Sequence, residues 1–293
     1  MGNVIKNYFS LVKFSHTIFA MPFALIGFFL GTHFLKTDLS SNQLLTKFLI
    51  VILCMVFARS AAMSFNRWLD KKYDALNPRT AVREIPSGII SEKNALLFVV
   101  FNCIGFVICT FFINTICFYL SPVALFIVLF YSYTKRFTSL CHLVLGLGLS
   151  LAPIGAYLAV TGSFNWLPIL FSFAVLFWVS GFDIVYALQD EQFDKKNNLY
   201  SVPSSLGKEK ALFVSKCLHL FSAASVIAAG FYGSWGWIYW VGVLFFISLL
   251  IYQHKLVSPN DLSKVDMAFF TTNGIASVIF GVFVLLDLFI LKK

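Results

Sequence analysis

Two polar ladders interrupt an otherwise apolar chain. Asn66, Asp70 and Asp74 form one, and Tyr186, Asp190 and Asp194 form the other in the second half of the chain. Arg59, Asn66 and Asp70 share their spacing with Asp183, Asp190 and Asp194. At about 100° per residue, each set falls within about 40° of one helix face. Mg²⁺ takes hard oxygen ligands, keeps several waters, and is usually held by one or two carboxylates plus substrate phosphates. Two carboxylate pairs facing each other would suit two such ions bridging a diphosphate. The plainer alternative is a solvated helix end whose acids pair with Lys71, Lys72, Lys195 and Lys196. The repeated spacing, in a chain with only 12% charged residues, favours the metal reading. Asn66, Asp70, Asp74, Asp190 and Asp194 are therefore the candidate metal ligands.

The elements that must hold these ladders are membrane helices. Hydrophobic residues make up 59% of the 293, the mean hydropathy is +0.84, and charged residues make up only 12%, against about 25% in soluble domains. A span needs about 20 apolar residues. Nine are expected, near 15–35, 45–66, 94–113, 116–134, 140–160, 166–187, 211–231, 236–253 and 268–291, as one all-α polytopic bundle around a central cavity. The first apolar stretch carries no small-residue cleavage pattern and reads as a retained helix. Arg59 falls two turns inside the second span, where a charge costs at least about 2.5–3.5 kcal/mol and usually faces a cavity. It either lines that cavity, pairing with Asp183 or a ladder acid, or forms a structural ion pair.

Charge distribution supports this count. With the N-terminus and the even-numbered loops on one side, 18 of the 22 basic residues lie there; Lys36, Lys47, Lys292 and Lys293 fall opposite. This bias assigns that side to the cytoplasm. Eleven of the 13 acids share it, which the orientation rule does not require. The formal charge of +9 thus reflects topology and gives no reason to expect a nucleic-acid partner. Both acidic loops end in related Pro-Ser…Gly elements (Pro86-Ser87-Gly88 and Pro203 to Gly207), a weak internal repeat. The chain reads as one domain, 1–293, of two pseudo-repeats near 1–135 and 136–293. The six cysteines contain no CxxC and the five histidines no HxxxH, so buried thiols are expected rather than a zinc or redox centre.

The run NRWLDKKYDALNPRTAVREIPSG from Asn66 resembles the first aspartate-rich motif of the UbiA superfamily of intramembrane prenyltransferases. DIVYALQDEQFD, Asp183 to Asp194, resembles its second, and YSYTKRF, Tyr131 to Phe137, resembles the basic loop after its fourth helix. Arg59 also fits, seven residues before Asn66. The resemblance covers nearly the whole chain and is nearest the 4-hydroxybenzoate polyprenyltransferase branch. One departure is Arg67, where the family often has Asp. The Asn-Arg form occurs in menaquinone routes as well, so a 1,4-dihydroxy-6-naphthoate acceptor stays open beside 4-hydroxybenzoate.

What the resemblance implies is Mg²⁺-dependent transfer from a polyprenyl diphosphate to an aromatic acid, at the cytoplasmic side of a bacterial inner membrane. Asp70, Asp74, Asp190, Asp194 and Tyr186 would be catalytic. Arg59, Asn66, Arg79, Arg83, Lys135, Arg136, Asp183 and Asn273 would bind substrates. An allylic cation needs a dry surround, and aromatic faces stabilise cations by about 2 kcal/mol when desolvated; of 35 Phe and 11 Tyr, Tyr186 is the one singled out. Lys13 and His16 are weaker contacts, alternatively interfacial anchors. The polyprenyl tail would lie between helices and open to lipid. A transporter is the rival class, but transporters carry ionisable groups near the midplane, whereas these acids gather at helix ends on one side.

Overall fold

The computed structural model describes residues 2–12, 20–34 and 39–291. Lys13, His16, Lys36, Lys292 and Lys293 lie outside them. The described chain is built of helices: α1 Gly2–Leu11, α2 Met21–Phe34, α3 Ser41–Leu69, α4 Lys71–Leu76, α5 Glu92–Ile113, α6 Thr115–Thr134, α7 Cys141–Thr161, α8 Trp166–Ala187, α9 Glu191–Lys196, α10 Val202–Leu206, α11 Lys208–Tyr232, α12 Trp237–Leu256 and α13 Asn273–Ile290. A 3₁₀ turn at Leu188–Asp190 joins α8 to α9, and a π-helical turn at Met267–Thr272 runs into α13. Among the described residues eight helices are long and apolar enough to cross a membrane, and α2 is a shorter apolar helix. The bundle agrees with the nine expected spans. At 1.5 Å per residue the 14 residues of α2 reach about 21 Å, less than the ~30 Å hydrocarbon core.

Local chemistry sets the ends. Ser40 and Gln43 form a capping box that starts α3. Asn114 alone separates α5 from α6; it is extended (φ −171°), and its Oδ1 accepts from the Cys117 amide. Its Nδ2 donates to the Leu158 and Ala159 carbonyls at 2.8 and 3.2 Å, tying the same break to the end of α7. Gly162, in the left-handed region at φ 65°, ends α7.

Six helices close a ring in the order α2, α7, α8, α11, α12, α13, and α13 returns to α2; α3, α5 and α6 pack together against α7. Large buried rings fill the closed side: Phe23, Phe171, Trp178, Tyr239, Phe246 and Phe280. Small residues permit the close approaches. A methyl at Gly27 would overlap the Pro153 carbonyl of α7, and one at Gly146 would overlap Leu176 and Ser180 of α8.

The ladders are not single continuous helices, as even spacing suggested. Asp70 lies at φ −89°, ψ 4° between α3 and α4, and Asp190 at φ −99°, ψ 2° between the 3₁₀ turn and α9. Asp70 N–H still donates to Asn66 O (2.9 Å) and Asp74 N–H to Asp70 O (2.8 Å), so helical register survives the break. The glycines closing the two Pro-Ser…Gly elements match as well: Gly88 has φ 76° and Gly207 φ 78°, a conformation that only glycine adopts readily.

Candidate active site

A cavity of about 1210 Å³ opens at the ladders and runs between α3, α6, α7 and α8. Asn66, Asp70, Asp74, Asp190 and Asp194 line one end, with Arg79, Arg83, Lys135, Asp183 and Tyr186. Arg59 lines it deeper, with Tyr131 within electrostatic reach. Beyond, the lining turns apolar, through Met55, Phe106, Ile127 and Leu151 towards Ile113 and Phe164.

Each ladder acid faces a basic side chain, from another segment for Asp70, Asp190 and Asp194 and from the same loop for Asp74. Arg136 Nη2 donates to Asp70 Oδ1 at 2.8 Å, and Arg83 Nη1 to Asp74 Oδ1 at 2.7 Å. Arg79 pairs with Asp190, and Lys135 Nζ stands 3.8 Å from Asp194 Oδ1. Lys71 and Lys195, which the plainer alternative would pair with the ladder acids, go to Glu92 and Glu191. Burial pushes the Asp70 carboxyl above its ordinary value, against the opposing pull of Lys135 and Arg136. For Lys135, burial acts to lower the ammonium, but Asp194, Asp70 and Asp190 together outweigh it and hold it above its ordinary value. Lys135 therefore answers to carboxylates of both ladders.

Arg79 joins the halves. It reaches from the first loop to Asp190, donates from Nη1 to Tyr186 OH at 2.7 Å, and lies 5.2 Å over the Tyr186 ring. Asn77, before it, donates to Asp190 Oδ1 at 3.2 Å. Arg136 sits over Tyr73 and Tyr133 at 5.5 and 5.3 Å. These contacts place both acidic loops over one mouth, as a shared site requires.

The donor set fits Mg²⁺. Asp74 Oδ2 and Asp194 Oδ1 are buried and have no hydrogen-bond partner among the described residues, and a buried polar oxygen left so is costly unless it has a ligand. Among those residues no three His, Cys, Asp or Glu converge tightly enough to cage an ion by themselves. Mg²⁺ bound through one or two carboxylates, waters and substrate phosphates does not need such a cage.

Three expectations change with the structure in hand. Asp183 pairs with His142, whose Nδ1 lies 2.7 Å from Asp183 Oδ2, while Val202 N–H donates to His142 Nε2 at 3.3 Å. Asn273 does not line the cavity: it is fully buried, accepting from Trp178 Nε1 at 3.0 Å and donating to backbone carbonyls. Arg136 holds Asp70 from outside the cavity lining. Sequence reading missed Asn77, His142, Phe269 and Phe270. A histidine within an apolar span was the available signal for His142; Asn77 sat inside a motif read only for its charges.

Arg67, the departure from the usual motif, is also accounted for. Its Nη1 donates to Glu84 Oε2 at 2.8 Å with both groups buried, and Ser10 of α1 donates to Glu84 Oε1. The arginine thus anchors the first loop and α1, and adds no further acid to the mouth.

The sequence model of the UbiA prenyltransferase family matches residues 20–275. Among similar curated proteins, a 4-hydroxybenzoate octaprenyltransferase of Marinomonas sp. is 30% identical over 284 residues, 95% of this chain and 96% of that protein. The corresponding protein of Aliivibrio fischeri (strain MJ11) is 32% identical over 239 residues, covering 79% and 80%. Among solved structures, the apo structure of a UbiA homolog from Aeropyrum pernix K1 superposes with a TM-score of 0.82 at 30% identity, over 93% of this chain and 98% of that one. A UbiA homolog from Archaeoglobus fulgidus bound to DMAPP and Mg²⁺ shares the fold at a TM-score of 0.76 and 20% identity, covering 97% and 99%. With family, full-length relatives and fold in agreement, this chain belongs to the UbiA prenyltransferase family and is a prenyltransferase embedded in the membrane.

Proposed function

We propose that the protein transfers a polyprenyl group from polyprenyl diphosphate to an aromatic acid of the 4-hydroxybenzoate type, with Mg²⁺, in quinone biosynthesis. The observation that carries this is the mouth itself: four ladder carboxylates, each opposite a cation, above a cavity whose depth is apolar. The names of the 4-hydroxybenzoate octaprenyltransferase relatives support the acceptor class. The Archaeoglobus homolog's structures with DMAPP or GPP and Mg²⁺ support the donor and the metal.

Asp70, Asp74 and Asn66 would hold one ion, and Asp190 and Asp194 the other. When bound, Mg²⁺ supplies neutralisation of the diphosphate and polarises its leaving oxygen. Arg79, Arg83 and Lys135, which line the cavity, would exchange carboxylates for diphosphate oxygens, while Arg136 would keep Asp70 in place, so the charged groups arrive positioned. The bond from prenyl C1 to the diphosphate oxygen breaks, and its electron pair leaves with diphosphate. An acceptor ring carbon then bonds to C1 and sheds its proton. Tyr186 presents its ring beside the mouth. Arg59 and Asp183 would meet the acceptor, and the apolar depth the tail. The site would face the cytoplasm of a bacterial inner membrane, where the basic residues gather. A second acceptor, 1,4-dihydroxy-6-naphthoate, is kept because Arg67 stands where the family often has Asp.

The test is direct: membranes containing the protein are given labelled polyprenyl diphosphate, Mg²⁺ and a panel of aromatic acids. Prenylated 4-hydroxybenzoate supports the reading. Prenylation of the naphthoate alone moves the acceptor, and prenylation of neither rejects the quinone assignment.

A further inference from the structure

Side chains brace the π-helical turn Met267–Thr272 in addition to its own backbone bonds. Such turns shift carbonyls away from their usual partners, and those carbonyls must find others. Asn273 Nδ2 donates to Phe269 O at 2.8 Å and to Ala268 O at 3.2 Å. Gln253 Nε2 donates to Ala268 O at 2.9 Å, and Thr272 Oγ1 to Met267 O at 3.2 Å. Trp178 Nε1 donates to Asn273 Oδ1 at 3.0 Å and so fixes the amide's orientation. Both Asn273 and Trp178 are fully buried.

What the turn delivers is two rings. Phe269 and Phe270 line the cavity beside Tyr186. Phe269 stacks on Tyr186 at 4.2 Å between centroids, Phe270 meets Tyr186 edge-on at 5.8 Å, and the two phenylalanines pack at 4.6 Å. Phe182 closes on Phe269 at 5.2 Å. A regular α-helix would rotate the two phenylalanines by a different amount relative to Asn273, because the π-turn adds a residue to the ring of each bond.

We infer that Asn273 is a positioning residue: by holding the π-turn it sets Phe269 and Phe270 with Tyr186 as a three-ring wall that keeps water from the allylic cation. The inference rests on the prenyl-transfer reading. The competing step is defined: after the C1–O bond breaks with its electrons going to diphosphate, a water oxygen bonds to C1 and releases one proton to solvent. The product is a free prenol in place of the prenylated acid. A dry aromatic wall suppresses that branch and steadies the cation.

The measurement is the ratio of geraniol to prenylated acid. Purified enzyme in lipid nanodiscs is given geranyl diphosphate, 4-hydroxybenzoate and Mg²⁺, and diphosphate release is counted separately. Asn273→Ala should raise the prenol fraction several-fold, up to about 10-fold for loss of a desolvated aromatic contact, while KM for the diphosphate stays near the unaltered value. Phe269→Leu and Phe270→Leu should do the same with the turn's donors intact. If Asn273→Ala does not reach the membrane, Asn273→Asp carries the same expectation, since it keeps the acceptor for Trp178 and loses both donations. An unaltered prenol fraction in the Asn273 and Phe variants overturns the inference. Failure of the unaltered enzyme to release diphosphate overturns the functional reading instead.

Discussion

Asp70 and Asp190 occupy similar places in the two halves: each sits near φ −90 to −100° with ψ close to zero, immediately before a six-residue helix, Asp70 after α3 and Asp190 at the end of the 3₁₀ turn that follows α8. This bridge region is sparsely allowed and common at active sites. Each also faces an arginine from another segment, Arg136 for Asp70 and Arg79 for Asp190. The pairing makes the two half-sites interdependent. Arg79 belongs to the first loop but binds the second ladder, and Lys135 answers to Asp70, Asp190 and Asp194.

If the ladders hold Mg²⁺ with diphosphate, single changes of Asp70, Asp74, Asp190 or Asp194 to Ala should each lower transfer on the order of 10²-fold or more, as removal of a charge-stabilising group does. The protein should still be found in the membrane, because these side chains sit at its polar mouth. Mn²⁺ binding followed by electron paramagnetic resonance, with and without geranyl diphosphate, reads the metal directly. Full activity of an Asp70→Ala/Asp190→Ala double mutant in chelator would sink the idea.

The ladder residues, the helix count and the break at Asn114 were legible in the sequence because each depends on local spacing. Their partners were not. Lys71 and Lys195 are neighbours in sequence but pair with Glu92 and Glu191, while the ladder acids take cations delivered by tertiary packing. The breaks at Asp70 and Asp190 were hidden because an i, i+4 spacing looks the same in a straight helix and a broken one. Asn273 was singled out by the family resemblance, and a matching position alone could not tell a cavity residue from one that serves backbone carbonyls.

Topology is testable apart from activity. Reporter fusions after Lys93 and after Lys210 should both read as cytoplasmic, and one after Lys293 as external, as 18 of 22 basic residues require. Arg79 contacts Asp190 across the two loops, so fusions reporting opposite sides for them would be incompatible with this architecture.

Asp287 makes a stability prediction far from the mouth. It is fully buried in α13 and accepts from the Gly236 and Tyr239 amides at 3.0 and 2.9 Å, at the start of α12. The helix N-terminus carries partial positive charge, which suits a carboxylate. Asp287→Ala leaves two amides unpaired and should cost about 1–3 kcal/mol, read as a lower melting temperature in detergent. Asp287→Asn keeps one acceptor and should lose less. KM values of the surviving enzyme should be unchanged; a shifted acceptor KM with unaltered stability would assign Asp287 a different role.

The proposed function gives the acceptor to Arg59, which makes the deep end of the cavity testable. It lies two turns deeper than Asn66 on α3 and lines the cavity below the four acid–cation pairs. Four cations already stand at the mouth, so the proposal matches the deeper arginine to a second anion, the carboxylate of an aromatic acid. Arg and a carboxylate form a two-pronged contact that Lys reproduces poorly. Arg59→Met should therefore raise the acceptor KM by about 10-fold or more, the scale of one lost charged hydrogen bond, and leave the diphosphate KM near its starting value. Arg59→Lys should fall between the two. Steady-state titration of each substrate at saturation of the other gives the answer. An unchanged acceptor dependence with a weakened diphosphate dependence would move Arg59 to the diphosphate and leave the acceptor to other polar groups of the lining, His142 and Tyr131 among them.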